Sequence, residues 1–499
     1  MDFPILSVLI AAPLVAAVIV GFLPKNRPNL AVPVGMALSA VPVGLVAWLF
    51  TAFENIGPAQ FSEGKVLIPQ LGVWWHLAVD GVSLPLVLLT AVLVPLSIGI
   101  SSRVSDNPKL LVAMILFLEA GMFGVFLAFN LILFFVFFEA VLIPMYFIIG
   151  IWGSENRIYA AIKFFLFTAF GSAFMLSGIL YLGAQHLATT GFWSFEYSDI
   201  FNSVELSAGA EAWLFWAFAL AFAIKVPLFP FHTWLPDAHV QAPTAGSVLL
   251  AGVMLKLGTY GLIRYNLVLF PQASVDYMGI VAVLAVIGIV YGAAVAIVQP
   301  DIKKLVAYSS VSHLGFIVLG IFSMTRSGAA GAVLQGVNHG LITGGLFMLV
   351  GLLYERRHTK KIADFGGLAK PAPILAGVFL FLSFASVGLP GLAGFPGEFL
   401  ILIGSFGTLP WAAVIGATGV ILAAVYLLWA YQRVFTGEPT VEENRAVRDL
   451  SAGEKLLFVP LIVLVLVLGL FPRILLDKIE PSTDAIVEYV VSSTSGVSE

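Results

Sequence analysis

Residues Leu220–Leu235 read LAFAIKVPLFPFHTWL. Up to Ile224 the run is the interior of an apolar helix. Lys225, Pro227 and Pro230 then follow in quick succession. A proline inside a helix removes a main-chain donor and clashes with the carbonyl one turn back. A charged side chain at bilayer depth costs roughly 2.5–3.5 kcal/mol on insertion scales. A cation beside a helix break is therefore expensive if this segment lies in lipid, and it calls for a reason.

Composition puts the segment in lipid. The chain has 499 residues, 60% hydrophobic and only 10% charged, where soluble domains carry about 25% charged residues. A soluble protein of this size has nowhere to hide so much apolar side chain, so the class is a polytopic membrane protein. The net charge of −4 suggests no nucleic-acid partner. There is no cysteine, which excludes Cys-ligated iron–sulfur clusters, disulfides and thiolate zinc sites in this chain. Neither GxGxxG nor GxxxxGK[ST] occurs, so nucleotide binding has no local support. The opening MDFPILSVLIAAPLVAAVIVGFLPKNRP (residues 1–28) lacks a basic n-region and reads as a first spanning helix rather than a cleaved signal.

Apolar runs of about 20 residues are the signature of spanning helices. Fourteen are counted, from 4–23 to 455–472, including 78–100, 211–230, 241–264 and 371–404. Alternating strands of a β-barrel are not found. The expectation is an all-α polytopic protein of fourteen transmembrane helices. Sixteen of the 24 Lys and Arg, Lys25 and Arg103 among them, fall in loops on one side. Five, Arg264 among them, fall on the other side, and Lys163, Lys225 and Lys256 fall within helices. The positive-inside bias places both termini outside.

A second helix is interrupted, at SVGLPGLAGFPGEFLI (Ser386–Ile401). Each break has an ionisable residue beside it, Lys225 in helix 7 and Glu398 in helix 12. Each broken helix is the fourth of a five-helix block, 110–264 and 277–432. An odd number of spans between equivalent points inverts the second block. Inverted repeats with broken helices at the site are the plan of many ion transporters. The chain divides into helices 1–3 (1–105), a first five-helix repeat (106–270), an inverted second repeat (271–437), and helix 14 with its tail (438–499).

Eight ionisable residues fall at membrane depth: Glu119, Glu139, Lys163, Lys225, Lys256, His313, His339 and Glu398. In LQGVNHGLITGG (Leu334–Gly345), Gln335, His339 and Thr343 repeat at i,i+4 and make one polar stripe. Ser309 and His313 share a face in the same way, and Lys256 has Tyr260 one turn on. The plain readings are a snorkelling lysine for Lys163, a protonated hydrogen-bonding carboxyl for Glu119 and satisfied structural histidines for His313 and His339. Lys225, Lys256, Glu139 and Glu398 resist such readings. Burial disfavours the charged form of an acid or a base, and a nearby opposite charge restores it. A buried lysine beside a glutamate is thus bistable, and histidine titrates in the physiological range. A row of such groups relays protons. His76, His186, His232, His239 and His358 fall in loops or interfaces, where solvated surface is the default. The HTWLPDAH stretch (His232–His239), with Asp237, is a candidate inner entrance for protons.

Several stretches together look like the antiporter-like membrane subunits of respiratory complex I. They are LAVDGVSLPLVLLT (Leu77–Thr90), FEAVLIPMYFIIGIWG (Phe138–Gly153), IKVPLFPFHTWLPDAHVQAPTAGSVLLAGVMLKLGTYG (Ile224–Gly261) and DIKKLVAYSSVSHLGF (Asp301–Phe316). The resemblance covers essentially every helix. It implies a proton-translocating subunit without redox chemistry of its own, driven by quinone reduction elsewhere in an NADH-quinone oxidoreductase. FMN, iron–sulfur clusters and quinone are then expected on other subunits, and neighbouring antiporter-like subunits as partners. It also implies that Glu139 pairs with Lys225, that Lys163 acts on Glu139, and that Lys256, His313 and His339 form the relay. Glu119 matches a second carboxylate of helix 4. Glu398 in place of lysine, with a short tail, favours the chain M (mitochondrial chain 4) type. The expected location is the bacterial inner membrane. Photosynthetic ferredoxin–plastoquinone complexes of thylakoids and multi-subunit cation/proton antiporters share the likeness and stand as the alternative.

Overall fold

A computed structural model describes residues 3–24, 26–103 and 106–495. Lys25 of the loop-charge count lies outside the described residues. The chain begins with α1 (Ile5–Gly21) and α2 (Ala31–Ala52). An antiparallel hairpin follows, β1 (Gln60–Ile68) and β2 (Val73–Val79). The all-α expectation is corrected here: VWWHLAV is rich in aromatic and branched residues that suit a pleated surface, and Gly72 at φ 61° makes the turn. The helix expected from residue 78 accordingly starts at Leu84, as α3 (Leu84–Ile100).

Next come α4 (Pro108–Leu127), α5 (Leu131–Ala140), α6 (Leu142–Trp152) and α7 (Arg157–Thr190). The Asn130 side chain caps α5 by accepting from Ile132 N and Leu133 N. After the short α8 (Tyr197–Ser203), α9 (Ala208–Lys225) ends at the lysine. Pro227 stops it, and the chain resumes as α10 (Trp234–Gln241). The break leaves main-chain carbonyls without helical donors. The Trp234 indole supplies one, donating to Ile224 O at 2.9 Å, and Leu228 N donates to Ala223 O at 2.7 Å.

The segment Thr244–Leu269, here α11, is buried over its central turns. It widens into π-helical turns at Leu250–Met254 and Leu262–Asn266. It runs past the expected end at 264, so Arg264 is a buried helical residue rather than a loop charge. Then follow α12 (Met278–Ile297), α13 (Ile302–Ile321) and α14 (Arg326–Arg357). Asp301 caps α13, accepting from Lys303 N at 2.7 Å and Lys304 N at 3.1 Å. The single run expected over 371–404 is two helices, α15 (Pro373–Val387) and α16 (Gly394–Thr408). Gly388 ends α15 in the left-handed region at φ 81°, where a side chain is strained. The chain finishes with α17 (Pro410–Phe435), α18 (Ala452–Leu470) and α19 (Arg473–Ser495). Ser451 and Glu454 form a capping box on α18.

Among the described residues, 11 helices are long and apolar enough to cross a membrane, and three shorter apolar ones are Ile5–Gly21, Leu84–Ile100 and Pro373–Val387. The protein is thus a largely helical membrane protein. The central part of α14 is buried and is the hub, packed by α3, α11, α13, α15, α16, α18 and α19. Peripheral helices turn Phe, Leu and Trp outward, as at Leu166, Phe170, Ile421 and Trp429, which suits lipid contact. By contrast α19, expected only as a tail, lays Leu475, Leu476, Ile479 and Val490 against the bundle. It closes over the hairpin-side ends of α11 and α14.

Candidate functional site

The hub carries the site. His339 lies on α14, where Gly340 allows close approach to α11: a Cβ at residue 340 would stand 2.6 Å from Gly252 O. That closeness brings Lys256 Nζ to 2.7 Å from His339 Nδ1. The π-helical turn before Lys256 leaves the Ala251 carbonyl free of its usual helical partner, and Lys256 Nζ donates to it at 2.5 Å. π-bulges recur at functional sites for this reason: they re-aim side chains and free backbone groups.

From His339 the groups continue to His313 on α13, with ring centroids 5.8 Å apart. His313 Nδ1 stands 2.9 Å from Glu398 Oε1. Gln335 Nε2, on the α14 stripe, donates to the same oxygen at 3.0 Å. Ser386 Oγ and Tyr426 Oη lie 3.2 Å and 3.3 Å from His313 Nε2. Two glycines make the room. A Cβ on Gly388 would stand 2.8 Å from Glu398 Oε2, and one on Gly397 would stand 2.5 Å from Gln335 Oε1. The broken helix α15–α16 therefore admits a carboxylate and its donors where an intact helix would pack shut. Lys256, His339, His313 and Glu398 are all buried, and each stands against the next.

The other four predicted residues make no hydrogen bond or ion pair with this row. Lys225 Nζ is buried without a hydrogen-bond partner, over the Phe138 ring at 4.6 Å from its centroid. Glu139 lies within Coulomb range of it, yet Glu139 Oε1 is unpartnered too. The implied ion pair is therefore absent from this structure: the lysine rests on an aromatic face instead. Lys163 pairs with Asp237 Oδ2 at 2.7 Å rather than with Glu139, because α10 lies against α7. Glu119 is fully buried with neither carboxylate oxygen partnered.

Several histidines expected on solvated surface are not there. His186, His232 and His239 are buried. His239 stacks on Phe347 at 4.4 Å with both ring nitrogens unpartnered, and it lies within Coulomb range of Lys256 and Lys303. His76 Nδ1 meets Glu196 Oε2 at 2.5 Å. Their loops fold back into the bundle, which a linear count of apolar runs cannot register. Ser386 and Tyr426 also escaped the sequence reading, since nothing in their local sequence marks them. Arg264 did leave a signal: it falls at i+8 from Lys256, on the Lys256–Tyr260 stripe. Among the described residues, no group of three or more His, Cys, Asp or Glu is arranged to hold a metal ion.

A row of buried, mutually contacting acids and bases in a membrane protein is suited to moving protons. A family model described as NADH:quinone oxidoreductase/Mrp antiporter, TM, matches residues 128–423, which hold both broken helices and the row. The chain belongs to this family. It is 42% identical over 495 residues to NADH-quinone oxidoreductase subunit M of Rhodobacter capsulatus, covering 97% of this chain and 96% of that one. Subunit M of Mycobacterium tuberculosis strain H37Rv is also 42% identical, over 523 residues, with 97% of this chain and 94% of that one covered. Among solved structures, a chain of respiratory complex I from Thermus thermophilus with bound NADH superposes with a TM-score of 0.89 at 35% identity, over 97% of this chain and 99% of that one. The Mrp complex from Dietzia sp. shares the fold at a TM-score of 0.84 and 20% identity, over 99% and 100% of the two chains. The antiporter-like complex I resemblance drawn from the sequence, on its chain M branch, is thereby shown.

Proposed function

We propose that this chain is a proton-translocating membrane-arm subunit of an NADH-quinone oxidoreductase. Quinone reduction on other subunits drives it. FMN, iron–sulfur clusters and quinone belong to those other subunits, and neighbouring antiporter-like subunits are its partners. The observation that carries the reading is the contact sequence Lys256–His339–His313–Glu398, closed at 2.7 Å and 2.9 Å at its two ends. Protons enter at the lysine-rich face by Lys163, Asp237 and His232. They pass by His239 to Lys256 and along the row to Glu398. Glu139 and Lys225 are the switch. In one state the lysine rests on Phe138; in the other it pairs with Glu139 and stays charged. Glu119 is a further carboxyl of the same half.

The same reading adds the three shorter apolar helices to the eleven long ones to reach fourteen crossings, the two broken helices among them, in two inverted five-helix repeats. The hairpin and α19 lie on the outer face, with both termini, in the inner membrane of a bacterium.

The test uses the assembled complex in sealed membrane vesicles, with NADH-driven acidification read by a pH-sensitive dye. Lys256→Ala is expected to abolish the proton movement assigned to this chain while the complex still assembles. Wild-type protons per electron in that variant would remove the relay. Transport that needs Na⁺ but no quinone would favour a free-standing antiporter instead.

A further inference from the structure

The Lys256 stripe continues beyond the row. Tyr260 and Arg264 follow at i+4 and i+8 on α11, toward the hairpin face, and Arg264 sits in the second π-helical turn, Leu262–Asn266. Arg264 is only 6% exposed and is ion-paired to Asp80, itself 4% exposed. The Tyr260, Tyr197 and Phe129 rings surround the guanidinium at 5.0–5.9 Å. Asp80 Oδ1 holds the start of α3, accepting from Val82 N at 3.1 Å and Ser83 N at 3.0 Å. Its other oxygen faces Arg264. Both residues line a cavity of about 390 Å³ that reaches the exposed Pro58 and Ala59 at the hairpin face, under Ser482 and Tyr489 of α19.

A buried ion pair is a poor way to add stability, because desolvation consumes the attraction. A guanidinium does not lose its proton in proteins, so it cannot relay one. A fixed guanidinium beside a proton route is instead a barrier to protonic charge. A carboxylate beside it is an acceptor. We propose that Asp80 and Arg264 form an electrostatic gate between Lys256 and the hairpin-face cavity. Closed, Arg264 bars protonic charge and occupies the Asp80 oxygen. Open, Asp80 takes the proton released from the Lys256 ammonium and passes it to the cavity, so that Lys256 is left neutral and Asp80 returns to carboxylate. The gate rests on the proton-translocating reading above and adds to it a second way out of the lysine, separate from Glu398.

The gate and a structural staple predict different signs. Arg264→Gln removes the barrier and leaves the acceptor. Passive proton entry into vesicles holding the assembled complex should rise about tenfold, as about 1.4 kcal/mol off a barrier produces. Adding Lys256→Ala should return that leak to the wild-type rate. Asp80→Asn leaves the guanidinium uncompensated: no leak, and fewer protons per electron. Arg264→Lys keeps the charge and should stay tight. A staple predicts that both single variants merely lose assembled complex. That outcome, an assembled Arg264→Gln complex without leak, or a leak that survives Lys256→Ala would each overturn the gate. Glu139→Gln in the same membranes reads the translocation itself, so failure of the gate is separable from failure of that reading.

Discussion

Glu398→Gln is the perturbation whose size the geometry fixes best. Glu398 Oε1 accepts from His313 at 2.9 Å and from Gln335 at 3.0 Å. A glutamine carbonyl occupies the same place, and the space left by Gly388 beside Oε2 receives the amide nitrogen, so the fold is kept. What changes is the charge. A hydrogen bond to a charged group contributes about 1.5–3 kcal/mol and a neutral one about 0.5–1.5 kcal/mol. Only the His313 bond holds a proton arriving at His313, and weakening it by about 1 kcal/mol is about fivefold in rate. The assay is NADH:quinone turnover with simultaneous vesicle acidification, normalised to assembled complex. Where this transfer limits turnover, Glu398→Gln should slow it about fivefold and cut protons per electron. Glu398→Asp keeps the charge but draws it back by one methylene, and should fall between. Unchanged turnover and unchanged protons per electron in a fully assembled Glu398→Gln complex would refute the reasoning, since the row would then end on a residue whose charge does nothing.

Lys225→Met should leave the melting temperature of the complex unchanged or raised, because the ammonium it removes is buried without a hydrogen-bond partner; proton movement should nonetheless be lost, and Glu139→Asp should be milder than Glu139→Gln in the same acidification assay. Arg356 and Glu454 form a buried pair at 2.9 Å on the lysine-rich side, so Arg356→Ala should cost about 3–5 kcal/mol, read as loss of assembled complex on native gels. Lys360, in the loop after α14, has its pKa lowered by burial, against the opposing pull of Asp301 and Glu155. The folded chain therefore binds fewer protons there than the unfolded one, and stability should rise with pH from the folded value up to about 10.4. Lys360→Gln should flatten that part of a melting-temperature profile, and a wild-type profile that falls with pH there, or one that Lys360→Gln leaves as steep, would contradict it.

Helix existence was legible because lipid demands long apolar runs, and these dominate the chain. Both breaks were legible because proline and glycine beside a charge have no cheap explanation in a bilayer. The hairpin was not: residues 60–79 are too short and too mixed to separate from a loop by periodicity. The extent of α11 was missed because Arg264 reads as a loop charge until Asp80, 184 residues away, is seen to neutralise it. Of the site, the stripe Gln335–His339 and the acids and bases were visible one at a time. Their adjacency was not, since it depends on Gly340 and Gly397 letting three helices approach. The order within the row also came only from the fold, with His339 against Lys256 and His313 against Glu398. Ser386 and Tyr426 are ordinary helix residues until α15 and α17 turn them onto His313.

The two groups of titratable residues differ in how far they are connected, and the difference bears on the proposed mechanism. In the row the titratable groups are connected: each of Lys256, His339, His313 and Glu398 has a neighbour within it. In the other group Glu119 has no hydrogen-bond partner at either oxygen, Glu139 lacks one at Oε1, and Lys225 lacks one at Nζ. A buried charge without a partner is costly, so these residues respond most to any change in what surrounds them. Glu139 is also only half-buried within this chain, on a face where Val136 and Ile143 are exposed. A charge or dipole brought against that face from outside acts first on Glu139, then on Lys225 across the Phe138 ring. The row behind them has its neighbours already in place, with His339 Nε2 the one ring nitrogen in it left without a hydrogen-bond partner, and on the proposed reading it needs only a proton delivered or withdrawn at Lys256. On the proposed reading, an unpaired switch beside a connected row would let a distant event set the direction of transfer without rebuilding the path.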